Sequence, residues 1–200
     1  VAELLAHLEV RPDLLVGHSA GAAVAACLVL DRHVAPRGIV SLNGALAALS
    51  GAGTLAPVAR LLASPFAARV AVARSRRPGV VAKLLRWMGS EIDAEGLAAY
   101  ERLMARTRHV HGTLRMMADW DLPGLAPRLA SLPVPVLAVD GTADRALDAP
   151  YRARVRRLLP GLEEQFLEGL GHLAHEEAPG AVAAAVRCFW ARRRTGACGT

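Results

Sequence analysis

Val16-Gly17-His18-Ser19-Ala20-Gly21 is the stretch whose reading decides the fold. It follows an apolar strand-like run at residues 13–17 and precedes residues 20–30, which are apolar on every side, as a helix buried against a sheet must be. Glycine, any residue, serine, any residue, glycine at such a junction describes a sharp strand-to-helix turn that projects the serine hydroxyl from the end of the sheet. The two glycines are expected to let the helix approach the strand without a clash. Residues 37–42 read as the next short buried strand, so the order is strand, helix, strand and the sheet is parallel.

Working outward, Val1, Leu4, Leu5 and Leu8 fall at helical spacing, and Arg11-Pro12 closes that element. From Gly44 to Leu122 strand periodicity vanishes. Helical segments follow one another there, punctuated by Pro57, Pro65, Pro78-Gly79, Gly89 and Gly112, and residues 44–122 are therefore expected to be a helical cap inserted in the α/β domain. Strand grammar returns at residues 134–140 and 162–167, with a helix at 149–159 between them. A last helix carries Val182, Val186, Phe189 and Trp190 on one face, and residues 195–200 are expected to fray. With 200 residues, 53% of them apolar, a single domain over 1–200 is expected.

A serine is a weak nucleophile until a base takes its proton, and that base needs a third group to orient it. An acid and then a histidine should therefore follow Ser19, each beyond the end of a strand. Asp144 in Gly141-Thr142-Ala143-Asp144 and His172 in Gly171-His172 meet that requirement, so Ser19, Asp144 and His172 are expected to form a catalytic triad. Asp140, at the strand's end, is the rival acid. The N–H of Ala20 is the expected oxyanion donor, as the residue after the nucleophile. His175 with Glu176 and Glu177 meets no recognised metal spacing; no metal and no cofactor are expected. His109 and His111, two apart in a helical segment, face different ways.

The charge is +6, which favours acidic ligands or anionic surfaces. Nucleic acid is not expected as a partner: aromatics are 4% of the chain and the arginines are scattered rather than gathered in a basic arm. Cys27, Cys188 and Cys198 make neither a disulfide framework nor a metal pattern, which fits a cytoplasmic protein. Residues 14–30 are uncharged apart from His18 but too short and too interrupted for a membrane span. The chain opens on Val1 without a basic and apolar leader, so no signal peptide is expected in it.

Residues 17–23 (GHSAGAA), 42–46 (LNGAL), 116–122 (MMADWDL) and 171–177 (GHLAHEE) together resemble the magnesium-chelatase accessory branch of the α/β-hydrolases, which belongs to bacteriochlorophyll biosynthesis. The likeness covers nearly the whole chain. Its first and last motifs are shared by many α/β-hydrolases; the two middle ones point to the branch. The resemblance implies an α/β-hydrolase fold and a link to insertion of magnesium into protoporphyrin, without a known reaction; a porphyrin or porphyrin ester is the expected substrate and magnesium chelatase an expected partner, while peripheral membrane contact is an expectation from the basic charge. It also implies that His18, Asn43, Met116, Met117 and Trp120 line the substrate site, although helix packing is the ordinary role for the last three. Between Arg60 and Arg115 ten Arg and one Lys face four acids, a solvated surface by default and otherwise a binder of propionates or of a membrane.

Against the eight strands usual in that family, only the last four are assigned here, so roughly the first third of the fold is expected to be absent. With it would go the loop that gives the second oxyanion donor, and the strand at 13–17 would become an uncharged edge. A non-catalytic porphyrin-binding or chelatase-partner module, or a general carboxylesterase, remains the alternative function.

Overall fold

Residues 20–30 include Ala22, Ala23, Ala25, Ala26, Leu28 and Val29, all buried, and small alanines on so many sides let a helix lie close against a sheet. The computed structural model describes residues 1–48 and 64–194. After helix α1 (Ala2–His7) come strand β1 (Leu15–His18), helix α2 (Ala20–Leu30) and strand β2 (Ile39–Leu42); β3 (Val136–Gly141) and β4 (Glu163–Leu167) follow much later in the chain. The four are parallel and ordered β1-β2-β3-β4, with Leu15 opposite Ile39, Val40 opposite Leu137 and Val139 opposite Gln165.

Side chains alternate across the sheet, and this splits the core in two. Ile39 and Val136 join α2 and helix α8 (Ala149–Leu158) on one face. Val40, Leu42, Leu137 and Val139 meet Ala174 of the one-turn helix α9 (Ala174–Glu177) and Val182, Ala185 and Phe189 of helix α10 (Pro179–Arg194) on the other. Phe189 is wholly buried because residue 38 is glycine: a Cβ there would lie 2.7 Å from its ring. Trp190, expected on the same face, is only half-buried. The inner strands β2 and β3 are buried throughout, whereas β1 and β4 are edges among the described residues, with Val16 and Phe166 exposed. None of the residues of α1 is buried.

Between β2 and β3 run α3 (Pro65–Ser75), α4 (Val80–Trp87), α5 (Ala94–Met104), α6 (Thr107–Ala118) and the one-turn α7 (Leu122–Leu125). Three of the five starts carry side-chain caps: Ser64 Oγ accepts from Ala67 N–H, Asp93 from Gly96 N–H and Asp121 from Gly124 N–H. Gly79 (φ 75°) and Gly89 (φ 85°) bracket α4 in the left-handed region. Gly112, expected to punctuate the segment, lies inside α6, whose packing through buried Val110 against Ala68 and Val72 of α3 outweighs the roughly 1 kcal/mol helix penalty of glycine. Residues 49–63 of the expected cap and the expected frayed tail at 195–200 lie outside the described residues. Val81 and Leu85 of α4 pack on Leu173, beyond the C-terminal end of β4, so this helical segment leans on the end of the sheet where Ser19 emerges.

Candidate active site

Ser19 has φ 50° and ψ −116°, a conformation that costs a non-glycine residue about 1–3 kcal/mol. Its backbone is held there from three sides: its N–H donates to Leu42 O, and its carbonyl accepts from Ala22 N–H and Ala45 N–H. Gly17 is obligatory, since a Cβ would stand 2.4 Å from the Gly21 carbonyl carbon and 2.6 Å from Ala22 N. The second glycine is not needed for the reason expected. A Cβ on Gly21 meets nothing within 4 Å, so it is the Gly21 backbone, not its missing side chain, that sits against the strand.

The turns after β3 and β4 bring two distant side chains to this hydroxyl. His172 Nε2 lies 3.2 Å from Ser19 Oγ, and His172 Nδ1 lies 2.9 Å from Asp144 Oδ2. Asp144 Oδ2 also accepts from Asn43 Nδ2 at 2.8 Å, and Oδ1 accepts from the N–H groups of Ala146 (2.7 Å) and Leu147 (3.2 Å). Burial raises the Asp144 pKa, but these bonds, that from His172 foremost, outweigh it and hold the carboxyl below the usual carboxylate range. An ionised Asp144 fixes the Nδ1–H tautomer of His172 and leaves Nε2 as the acceptor for the Ser19 hydroxyl. Ala20 N–H, at the head of α2, has no hydrogen-bond partner among the described residues.

His18 Nε2–H donates to the carbonyl of His172 at 2.9 Å, and its ring stands 4.3 Å from that of His175 and 5.0 Å from that of His172. Burial, aided by those neighbouring imidazoles, lowers His18 to about 4, so at neutral pH it braces the loop without adding charge beside His172. Burial lowers His175 as well; its Nδ1 is buried without a partner. Among the described residues no group of His, Cys, Asp and Glu could hold a metal.

Asn43, expected beside the substrate, is instead fully buried behind Asp144, with φ 42° and a second bond to Gly171 O. Met116 and Met117 are about half exposed on α6, and Trp120 packs, partly buried, against the larger core. Three contributors are not among the expected site residues. Ser90 Oγ accepts from Leu173 N–H at 2.8 Å, and Glu177 accepts from Gly171 N–H at 3.0 Å, so both grip the loop that carries His172. Tyr151 O–H donates to Gly44 O and accepts from Leu46 N–H, fixing the loop after β2.

Asp140 sits on the other face of β3, beside Tyr151, Arg152 and Glu164. Burial, with Asp144 and Glu164 adding to it and Arg152 opposing, raises its pKa to about 6. A folded-state value above the unfolded one means that the proton stabilises the fold at low pH and that this contribution is lost as pH rises through about 6. Asp140→Asn is therefore expected to raise stability above pH 7 by up to about 3 kcal/mol and to change it little near pH 4. Urea melts of both proteins across this range test it; parallel stability curves would overturn it.

The model of the alpha/beta hydrolase family matches residues 1–185. The magnesium-chelatase 30 kDa subunit of Rhodobacter capsulatus is 41% identical over 183 residues, covering 88% of this chain and 62% of that protein, so the chain spans less than two thirds of that relative's length. Among solved structures, MenH from S. aureus superposes with a TM-score of 0.71 at 18% identity over 96% of this chain and 73% of its own. A putative lipase from Acinetobacter baumannii AYE gives 0.69 at 20%, over 98% and 67%. The enol-lactonase from Burkholderia xenovorans LB400 gives 0.65 at 17%, over 94% and 69%. At these identities the solved structures show a shared fold and nothing finer.

Proposed function

The chain belongs to the alpha/beta hydrolase family, and from that premise we propose that it is a serine hydrolase of ester-type bonds. The observation that carries the reading is the hydrogen-bonded line from Ser19 Oγ through His172 to Asp144. In the proposed reaction Ser19 Oγ attacks the carbonyl carbon while His172 Nε2 takes its proton, and Asp144 stabilises the imidazolium. The oxyanion that forms receives the Ala20 N–H. Collapse expels the alcohol, which leaves with the proton from His172; water then repeats the sequence on the acyl-enzyme and frees the acid and Ser19. Asn43, Ser90 and Glu177 act as positioning residues for the acid and the base.

We take α3 to α6 as the cap expected over this site, since α4 packs on Leu173 and Ser90 bonds to its N–H. The proposed substrate class is a porphyrin ester, with the chelatase itself as partner. The partner is drawn from the name of the 41% identical relative, and the porphyrin ester from the resemblance carried by residues 42–46 and 116–122. The proposed compartment is the cytoplasm, where the free thiols Cys27 and Cys188 stay reduced.

The decisive experiment is labelling with a fluorophosphonate and mapping of the adduct, expected at Ser19. A second reading, a chelatase-partner module that does no chemistry, is favoured by the relative's name as a subunit. The two part cleanly. If the wild-type protein resists the probe while it co-purifies with magnesium chelatase and Ser19→Ala co-purifies equally, the module reading replaces the enzymatic one. If protoporphyrin is a ligand, it is expected to quench tryptophan fluorescence, and Trp120→Phe is expected to lose most of that signal; undiminished quenching in the variant would remove Trp120 from the site.

A further inference from the structure

From Ser64 to Met88 the chain holds six cations, Arg69, Arg74, Arg76, Arg77, Lys83 and Arg86, and no acid. All six are exposed, and among the described residues none is ion-paired. Some arginines elsewhere are ion-paired: Arg156 meets Glu164, and Arg192 and Arg193 meet Glu163. Set among the unpaired cations are four large apolar side chains turned to solvent, Phe66 (75% exposed), Val70 (45%), Leu84 (42%) and Trp87 (65%). In α3 residues 66, 69, 70, 73 and 74 follow helical spacing and all are exposed, so they make one outward face, with exposed Arg76 and Arg77 just beyond the helix end, while Ala68, Val72 and Ser75 point inward. In α4 the inward side chains are Val81 and Leu85, and Leu84 and Trp87 flank the outward side with Lys83 and Arg86.

We propose that the outward faces of α3 and α4 dock this protein on an anionic lipid bilayer. Aromatic and aliphatic side chains interspersed with unpaired cations match the interface of such a bilayer, where rings enter the headgroup boundary and Lys and Arg meet phosphates. A soluble acidic protein would satisfy the charge as well, but the apolar groups here stand out from the surface, Phe66 and Trp87 most of all, as side chains that enter a bilayer interface do. No helix among the described residues is long and apolar enough to cross a membrane, so the contact is peripheral. The geometry also gives the contact a use. The inward side of α4 packs on Leu173, adjacent to His172, so a docked bilayer lies about one helix diameter, roughly 10 Å, from the wall of the site. A substrate dissolved in the lipid phase would then reach that wall without crossing water.

The test is sedimentation of the full chain with vesicles of phosphatidylcholine alone and of phosphatidylcholine containing about a third phosphatidylglycerol, at low and high salt. Binding is expected only to the anionic vesicles, weakened by salt, and accompanied by a blue shift of tryptophan emission that Trp87→Phe removes. Arg74→Gln, Arg77→Gln and Lys83→Gln together are expected to lower partitioning on the order of a hundredfold, at roughly fivefold per cation. Arg187→Gln, an exposed cation on α10, is expected to leave it unchanged. Equal binding to neutral vesicles, no vesicle binding at all, or undiminished binding by the triple variant would overturn the proposal. So would equal retention on soluble polyglutamate without the Trp87 shift, which would assign the face to an acidic protein.

Discussion

Ser19→Ala is expected to lower hydrolysis of a p-nitrophenyl ester by on the order of 10⁴ to 10⁶ and to abolish fluorophosphonate labelling, while leaving the melting temperature nearly unchanged. The first effect follows from the oxygen placed 3.2 Å from His172 Nε2; among the described residues no other hydroxyl is bonded to that nitrogen. The second follows from the backbone. Alanine inherits the strained φ of 50° and the same three backbone bonds, so neither the strain nor its compensation changes. His172→Ala is expected to cost about as much, and the two together little more than either alone, because a nucleophile without its base is already idle. A mutant that labels as strongly as its parent would sink the assignment of Ser19, and a variant that fails to melt cooperatively would be read by its stability rather than its chemistry.

The sheet and the turn at Ser19 were legible because their causes are local. Apolar runs of four to six residues read as buried strands, and β2 and β3 are buried at every position. The Gly17 contact with the Gly21 backbone spans four residues, within reach of a motif. What distance along the chain conceals is how the site is braced. Only the resemblance placed Asn43 beside the substrate, and its partner Asp144 is 101 residues away. The Ser90 bond to Leu173 spans 83 residues, and Glu177, weighed in the sequence only beside His175 for metal spacing, holds Gly171 N–H. Helical periodicity also predicts a face without saying what covers it. Val110 is the buried residue of α6, and Met116 and Met117, one turn and more beyond it, remain half exposed on a helix that packs chiefly by its middle.

Asp144→Asn is expected to lower the same hydrolysis by about 10⁴, whereas Asp140→Asn should leave it within a few-fold of the parent. Chain order alone does not separate the two acids, which lie four residues apart; the pleat and the turn do. Asp140 is in β3 and faces Tyr151 and Arg152, while Asp144 is beyond the strand, with its Oδ2 accepting from both His172 Nδ1 and Asn43 Nδ2. An amide cannot reproduce that pattern. With its NH₂ at the Oδ2 position it meets two donors, and with the NH₂ turned the other way it meets the N–H groups of Ala146 and Leu147 instead. The imidazole can relieve the first conflict only by moving its proton to Nε2, which then points at Ser19 and accepts nothing. Stability should fall too, by about 1–3 kcal/mol for buried groups left unmatched. Because the Asp144 carboxyl titrates below its ordinary range, its contribution is present above the unfolded pKa and lost as pH falls, so this deficit should be full at neutral pH and shrink in acid. Ester hydrolysis and urea melts of the two variants side by side check both halves. If Asp140→Asn abolishes turnover and Asp144→Asn spares it, the orienting acid has been placed on the wrong side of the sheet.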